Sequence, residues 1–89
     1  MDYTKEQLSA IKQNLRYVTK NALDVLREID KEPEINNSDL LDKVKTSKYI
    51  TDKCIASFLA SGLITRFEDG LKKTYTITQD GKRLLEMED

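Results

Sequence analysis

The chain has 89 residues, one domain's worth, with 38% hydrophobic and 35% charged, a balance polar for a folded protein yet not that of a disordered one. With no His and a single Cys, the commonest general base, the His-paired nucleophiles, most zinc sites and internal disulfides are excluded, and the lone thiol fits a reducing cytosol. Lys and Arg number 15 against 16 Asp and Glu, a formal charge of −1, and that sum argues against a nucleic-acid partner.

Thr4-Lys5-Glu6-Gln7 has the hydroxyl-to-glutamine spacing of a capping box and opens a helical stretch. Leu8, Ile11, Leu15, Val18, Ala22, Val25 and Ile29 follow at steps of three and four, with no Gly or Pro from Thr4 to Glu32. One straight helix over this span would reach about 40 Å, longer than a domain of this size is wide. Two readings stay open: the helix bends near Thr19, or its first half projects from its own domain. In either case Leu8, Ile11, Leu15 and Val18 have little local chain to pack on, and a second copy is the expected cover. The alternative is that they complete the domain's own core.

Glu32-Pro33-Glu34 ends this stretch, because proline is poorly tolerated inside a helix. Asn36-Asn37-Ser38 supplies cap chemistry for a second helix from Asp39 to about Lys45, with Leu40, Leu41 and Val44 inward. Thr46-Ser47 breaks that helix and caps a third, from about Lys48 to Ser61, with Thr51, Cys54, Ile55, Phe58 and Leu59 on its apolar side. Gly62 suits the left-handed position after a helix end. The period then changes to two. Leu63–Phe67 and Thr74–Thr78 read as strands around the turn signal Asp69-Gly70, with a six-residue loop from Glu68 to Lys73. Gly81 turns the chain into a last short helix, Lys82 to about Met87, with Leu84 and Leu85 inward, and Glu86, Glu88 and Asp89 read as a solvating tail.

The order helix, helix, turn, helix, hairpin, helix contains a helix-turn-helix unit. Asp39–Ile64, ending Phe58-Leu-Ala-Ser-Gly-Leu-Ile64, and Tyr75-x-Ile77-Thr78-x-x-Gly81-x-x-Leu84-Leu85 together resemble the winged-helix family over about residues 20–88. The expected fold is therefore mainly α with a small β-hairpin (α+β): an N-terminal dimerisation helix over 1–18, then a winged-helix domain over 19–89. In DNA-binding members the third helix reads the major groove and the wing tip touches the backbone or minor groove. By position, that resemblance implies contacts from Thr46, Ser47, Lys48, Tyr49, Asp52 and Lys53, and from Arg66, Lys72 and Lys73 on the wing. Each has a plainer reading: solvated lysines, a half-buried Tyr49, an Asp52 that only solvates the helix. Cys54 reads as a small buried hydrophobe.

The leading expectation is a homodimer that binds double-stranded DNA as a transcriptional regulator, acting as a repressor by occupancy. A second reading is a centromere-binding adaptor of plasmid or phage partition systems (the TubR type), with a filament-forming partner; that resemblance is of size and architecture only. A third is a winged helix used for protein–protein contact. An enzyme is the least favoured. No metal or cofactor is expected, no apolar run approaches the ~20 residues of a membrane span, and Met1–Glu6 lacks a signal peptide's segments, so the expected location is cytoplasmic. The opening objection from charge also weakens. From Lys43 to Arg83 there are nine basic residues and four acids, a regional charge of +5, and local field rather than total charge steers a polyanion.

Overall fold

The computed structural model describes residues 2–87, so Glu88 and Asp89 of the expected tail lie outside the described residues. The elements are α1 (Lys5–Leu15), α2 (Ala22–Lys31), β1 (Ile35–Asn36), α3 (Asn37–Lys43), α4 (Lys48–Ala60), β2 (Ile64–Asp69), β3 (Lys72–Ile77) and α5 (Gln79–Glu86).

The N-terminal capping box forms in full: Gln7 N donates to Thr4 Oγ1 at 3.1 Å and Thr4 N to Gln7 Oε1 at 2.8 Å. The heptad run does not make one long helix. It breaks between Leu15 and Ala22, and the cap of α2 is Asn21, whose side chain makes no capping bond. Thr19 instead accepts from Asn21 N at 3.4 Å. The break folds α1 back onto its own domain, beside α5. Leu8 and Leu15 are thereby covered by their own chain, at 1% and 3% exposure, while Ile11 and Val18 pack against the core from its margin. This corrects the expectation that Leu8 and Leu15 need a second copy: both are buried by their own chain, in which α1 lies beside α5, an element distant in sequence.

Asn36 caps α3, accepting from Asp39 N at 2.8 Å, and Ser47 caps α4, accepting from Ile50 N at 3.2 Å. The α3 helix has the expected length but starts and ends two residues earlier, at Asn37 and Lys43. Gly62 follows α4 with φ +72°, the conformation that relieves a helix end and favours glycine. Ile35 and Asn36 form a strand the sequence did not announce, opposite Tyr75 and Thr74. Two residues carry no period, so their strand character is fixed by pairing alone.

The three strands run antiparallel in the order β1-β3-β2. The hairpin is tighter than the six-residue loop expected, since Glu68 pairs with Lys73 and Asp69 with Lys72. Only Gly70 and Leu71 remain as the turn, and Gly70 holds φ +61° at its first central position, where a type II′ turn requires a positive φ. Gly81 also has a different role from the one expected. Thr78 starts α5, accepting from Gly81 N at 3.1 Å, and Gly81 lies inside the helix. A Cβ there would stand 2.3 Å from the Leu63 carbonyl oxygen and 2.6 Å from Ile77 Cγ1. The glycine thus permits helix and sheet to touch, and the turn itself is set by Thr78. All five helices and the sheet share one core, in which Val25, Leu26, Ile29, Ile35, Leu40, Phe58, Leu63 and Leu84 have no exposed surface. Burial of each such side chain contributes about 1.5–3 kcal/mol.

Candidate nucleic-acid interface

Burial of Thr51, Cys54, Ile55 and Phe58 fixes the rotation of α4. The opposite face therefore presents Lys48, Tyr49, Asp52, Lys53 and Ala56 to solvent, as the 3.6-residue period requires. Ser47 is exposed at the helix start with its oxygen engaged in the cap, and Thr46 is half-buried. Ile50 takes a middle position, half-buried against the core.

Several charged groups of this face pair with near neighbours. Lys48 Nζ lies 3.0 Å from Asp52 Oδ2, one helical turn on. Lys53 Nζ sits 5.4 Å from the centre of the Tyr49 ring. On the hairpin, Arg66 Nε lies 3.2 Å from Glu68 Oε1. Such exposed pairs are worth about 0–1 kcal/mol each, so a phosphate can displace them at small cost. Asp52 therefore has a role the sequence reading did not weigh: it holds Lys48 across the outward face.

Alternation on the strands sorts the three wing candidates. Residues directly opposite share a sheet face, so Arg66 with Tyr75 and Glu68 with Lys73 lie on the face of the buried Tyr75. Arg66 and Lys73 line a groove with Lys48, Asp52, Asn37 and Tyr75, where α4 and the hairpin meet. Lys72 pairs with Asp69 on the other face, together with Phe67. The two adjacent lysines thus diverge, and the fold brings Lys73 and not Lys72 to the α4 groove. The period of two already contained that separation.

At the floor of this groove Tyr75 Oη donates to Asn37 Oδ1 at 3.2 Å. Burial pushes the phenol pKa above its ordinary value, with the Arg66 charge opposing. The ring stays neutral and fixes α3 to β3 beneath the charged rim. Asn37 escaped sequence reasoning because its partner lies 38 residues away. Phe67 and Leu71, 69% and 102% exposed, were also missed as surface features; Phe67 reads as a core strand residue until its face is known.

Cys54 is fully buried, and burial pushes its thiol pKa up, so it is a packing residue. Among the described residues there is no cluster of three or more metal-ligating side chains, and no helix long and apolar enough to cross a membrane.

No protein-family model matches this chain, and no curated protein matches it. Among solved structures, the crystal structure of MarR superposes on 91% of this chain and 69% of its own, with a TM-score of 0.68 and 21% sequence identity. The fold is a winged helix: α3 and α4 form the helix-turn-helix and β2–β3 the wing, with five helices and a three-stranded antiparallel sheet in all.

Proposed function

We propose that this chain binds double-stranded DNA as a homodimer and serves as a transcriptional regulator that represses by occupancy. The observation that carries the reading is the α4–hairpin groove, which Lys48 of α4 lines together with Arg66 and Lys73 of the hairpin. In this reading the N-terminal half of α4 enters the major groove, with Lys48, Tyr49, Asp52 and Lys53 toward base edges and phosphates. Thr46 and Ser47, at the helix start, meet the backbone. The wing follows the adjacent backbone through Lys73 and Arg66, with Lys72 reaching from its other face. The winged-helix fold supports the class of function. The regional charge of +5 against a total of −1 supports binding that is modest per copy and gains from two copies on a symmetric site.

The test is a titration of duplex DNA at several salt concentrations. Neutralising about six phosphates gives a slope of log K against log[salt] near −5. Absence of binding at about 50 mM salt, where the electrostatic contribution is strong, overturns the reading. Sequencing the DNA recovered with the protein from cells separates regulation from partition. Scattered promoters support the regulator, whereas one tandem-repeat array would replace it with the partition adaptor.

A further inference from the structure

Strand β2 is an outer strand of the sheet, six residues long, and all but Ile64 are exposed. Its register against β3 has no bulge, and it holds no Pro, two of the usual devices that keep an edge from pairing with another chain. Its charges, Arg66, Glu68 and Asp69, oppose pairing unless the added strand matches them. The opposite edge, β1, is two residues long and too short to serve. At the centre of β2 stands Phe67, 69% exposed, flanked by Arg66 and Glu68. Those two charges lie on the face opposite the phenyl ring.

We propose that β2 pairs antiparallel with β2 of a second copy, on a two-fold axis through Phe67, joining two three-stranded sheets into one of six strands. The charge pattern selects that register. An isologous pair whose axis is perpendicular to the sheet keeps faces matched, so each residue opposes one of the same parity. An axis through residue 66 sets Arg66 against Arg66 of the partner subunit, and an axis through residue 68 sets Glu68 against Glu68 of the partner subunit. Only the axis through Phe67 sets Arg66 opposite the partner's Glu68, twice, while the two phenyl rings meet on the other face. Thr65 then opposes the partner's Asp69, where its hydroxyl can donate to the carboxylate. The in-chain Arg66–Glu68 pair at 3.2 Å already holds these side chains on one face at the spacing the four-charge cluster uses. The same axis puts both α4 helices on one side of the joined sheet. This inference refines the dimeric part of the function proposed above, and it supplies a surface in place of Leu8 and Leu15, which the core has absorbed.

Five facing residues make a small interface, so association is of the weak class. The test uses the full chain without DNA. In the proposed register Thr65→Cys and Asp69→Cys face each other, at the ~4.5–5.5 Å Cα separation of opposed antiparallel residues, inside the range a disulfide spans. A mixture of the two variants is expected to form a disulfide-linked heterodimer under mild oxidation. Neither variant alone should do so, because each lies about four strand residues from its own copy, about 13 Å away. Phe67→Cys alone is expected to link to itself. The native Cys54 is fully buried and does not compete. By sedimentation, Arg66→Glu and Glu68→Arg should each weaken dimerisation about tenfold, a loss of about 1.4 kcal/mol, and the double exchange should restore it. Equal linking by each single variant, no heterodimer in the mixture, or no rescue by the double exchange would overturn the proposal. DNA titration is measured separately, so an edge-pairing failure leaves DNA binding standing, and the reverse.

Discussion

The side of the molecule where α1 meets α5 and the side where α4 meets the hairpin use polar groups in opposite ways. On the first, the contacts are long in sequence. Tyr3 Oη donates to the Ser61 carbonyl at 2.7 Å, Arg83 Nη1 donates to the Tyr3 carbonyl at 2.9 Å, and Lys12 Nζ donates to the Met87 carbonyl at 2.6 Å. Asp80, nearly buried, accepts from Tyr3 N across the chain and, as a local contact within α5, from Arg83. On the second side, the outward charges pair within four residues of themselves, Lys48 with Asp52 and Arg66 with Glu68. Long-range bonds to backbone carbonyls hold the chain's ends in place. Local pairs between exposed ends of flexible side chains hold almost nothing, which leaves them available to a ligand. The lesson is that a partly buried bond to a backbone carbonyl marks scaffold, whereas an exposed bond between two flexible side chains marks surface.

Substitutions can break this contrast. The largest effect is expected from Leu8→Ala, which should lose about 2–5 kcal/mol of stability, since a buried leucine leaves a cavity. Its denaturant midpoint should be the same at low and high protein concentration; a concentration-dependent loss would return Leu8 to an intermolecular interface. Gly81→Ala should lose about 1–3 kcal/mol, because the added methyl overlaps the Leu63 carbonyl and Ile77, and thermal unfolding reads it directly. Tyr3→Phe removes the bond to Ser61 and should lose about 0.5–1.5 kcal/mol, the smallest of the three scaffold effects. On the other side, Lys48→Ala and Lys73→Ala should each leave stability within about 0.5 kcal/mol of the parent while flattening the salt slope of DNA binding by about one unit. A large stability loss from either lysine would erase the distinction.

Sequence and structure agree where information is local. The Thr4 capping box, the cap chemistry of α3, the α4 start, the inward face of α4 and Gly62 were legible because each depends on residues within a turn or two of each other. The departures share one cause. The cover over Leu8, the strand at Ile35 and the Tyr75–Asn37 bond all depend on partners distant in sequence, whereas the break at residues 16–21 falls where a bend near Thr19 was one of the two expectations. The hairpin belongs to both groups: Asp69-Gly70 marked its turn, but the length of pairing depended on cross-strand bonds that composition does not reveal. Of the candidate site, the α4 face was legible from periodicity. The divergence of Lys72 from Lys73 was legible in principle and followed once the register was known.

Cys54 has a use that its chemical inertness creates. It is the sole cysteine in the sequence and is fully buried against the core by α4, so a thiol reagent can reach it only when the helix lifts away or the domain opens. Its alkylation rate is therefore a clock for opening, readable in the unaltered protein without an added dye. When reclosing is fast relative to labelling, that rate tracks the population of open molecules. A ligand that holds α4 in place would slow the clock, turning a packing residue into a native gauge of occupancy.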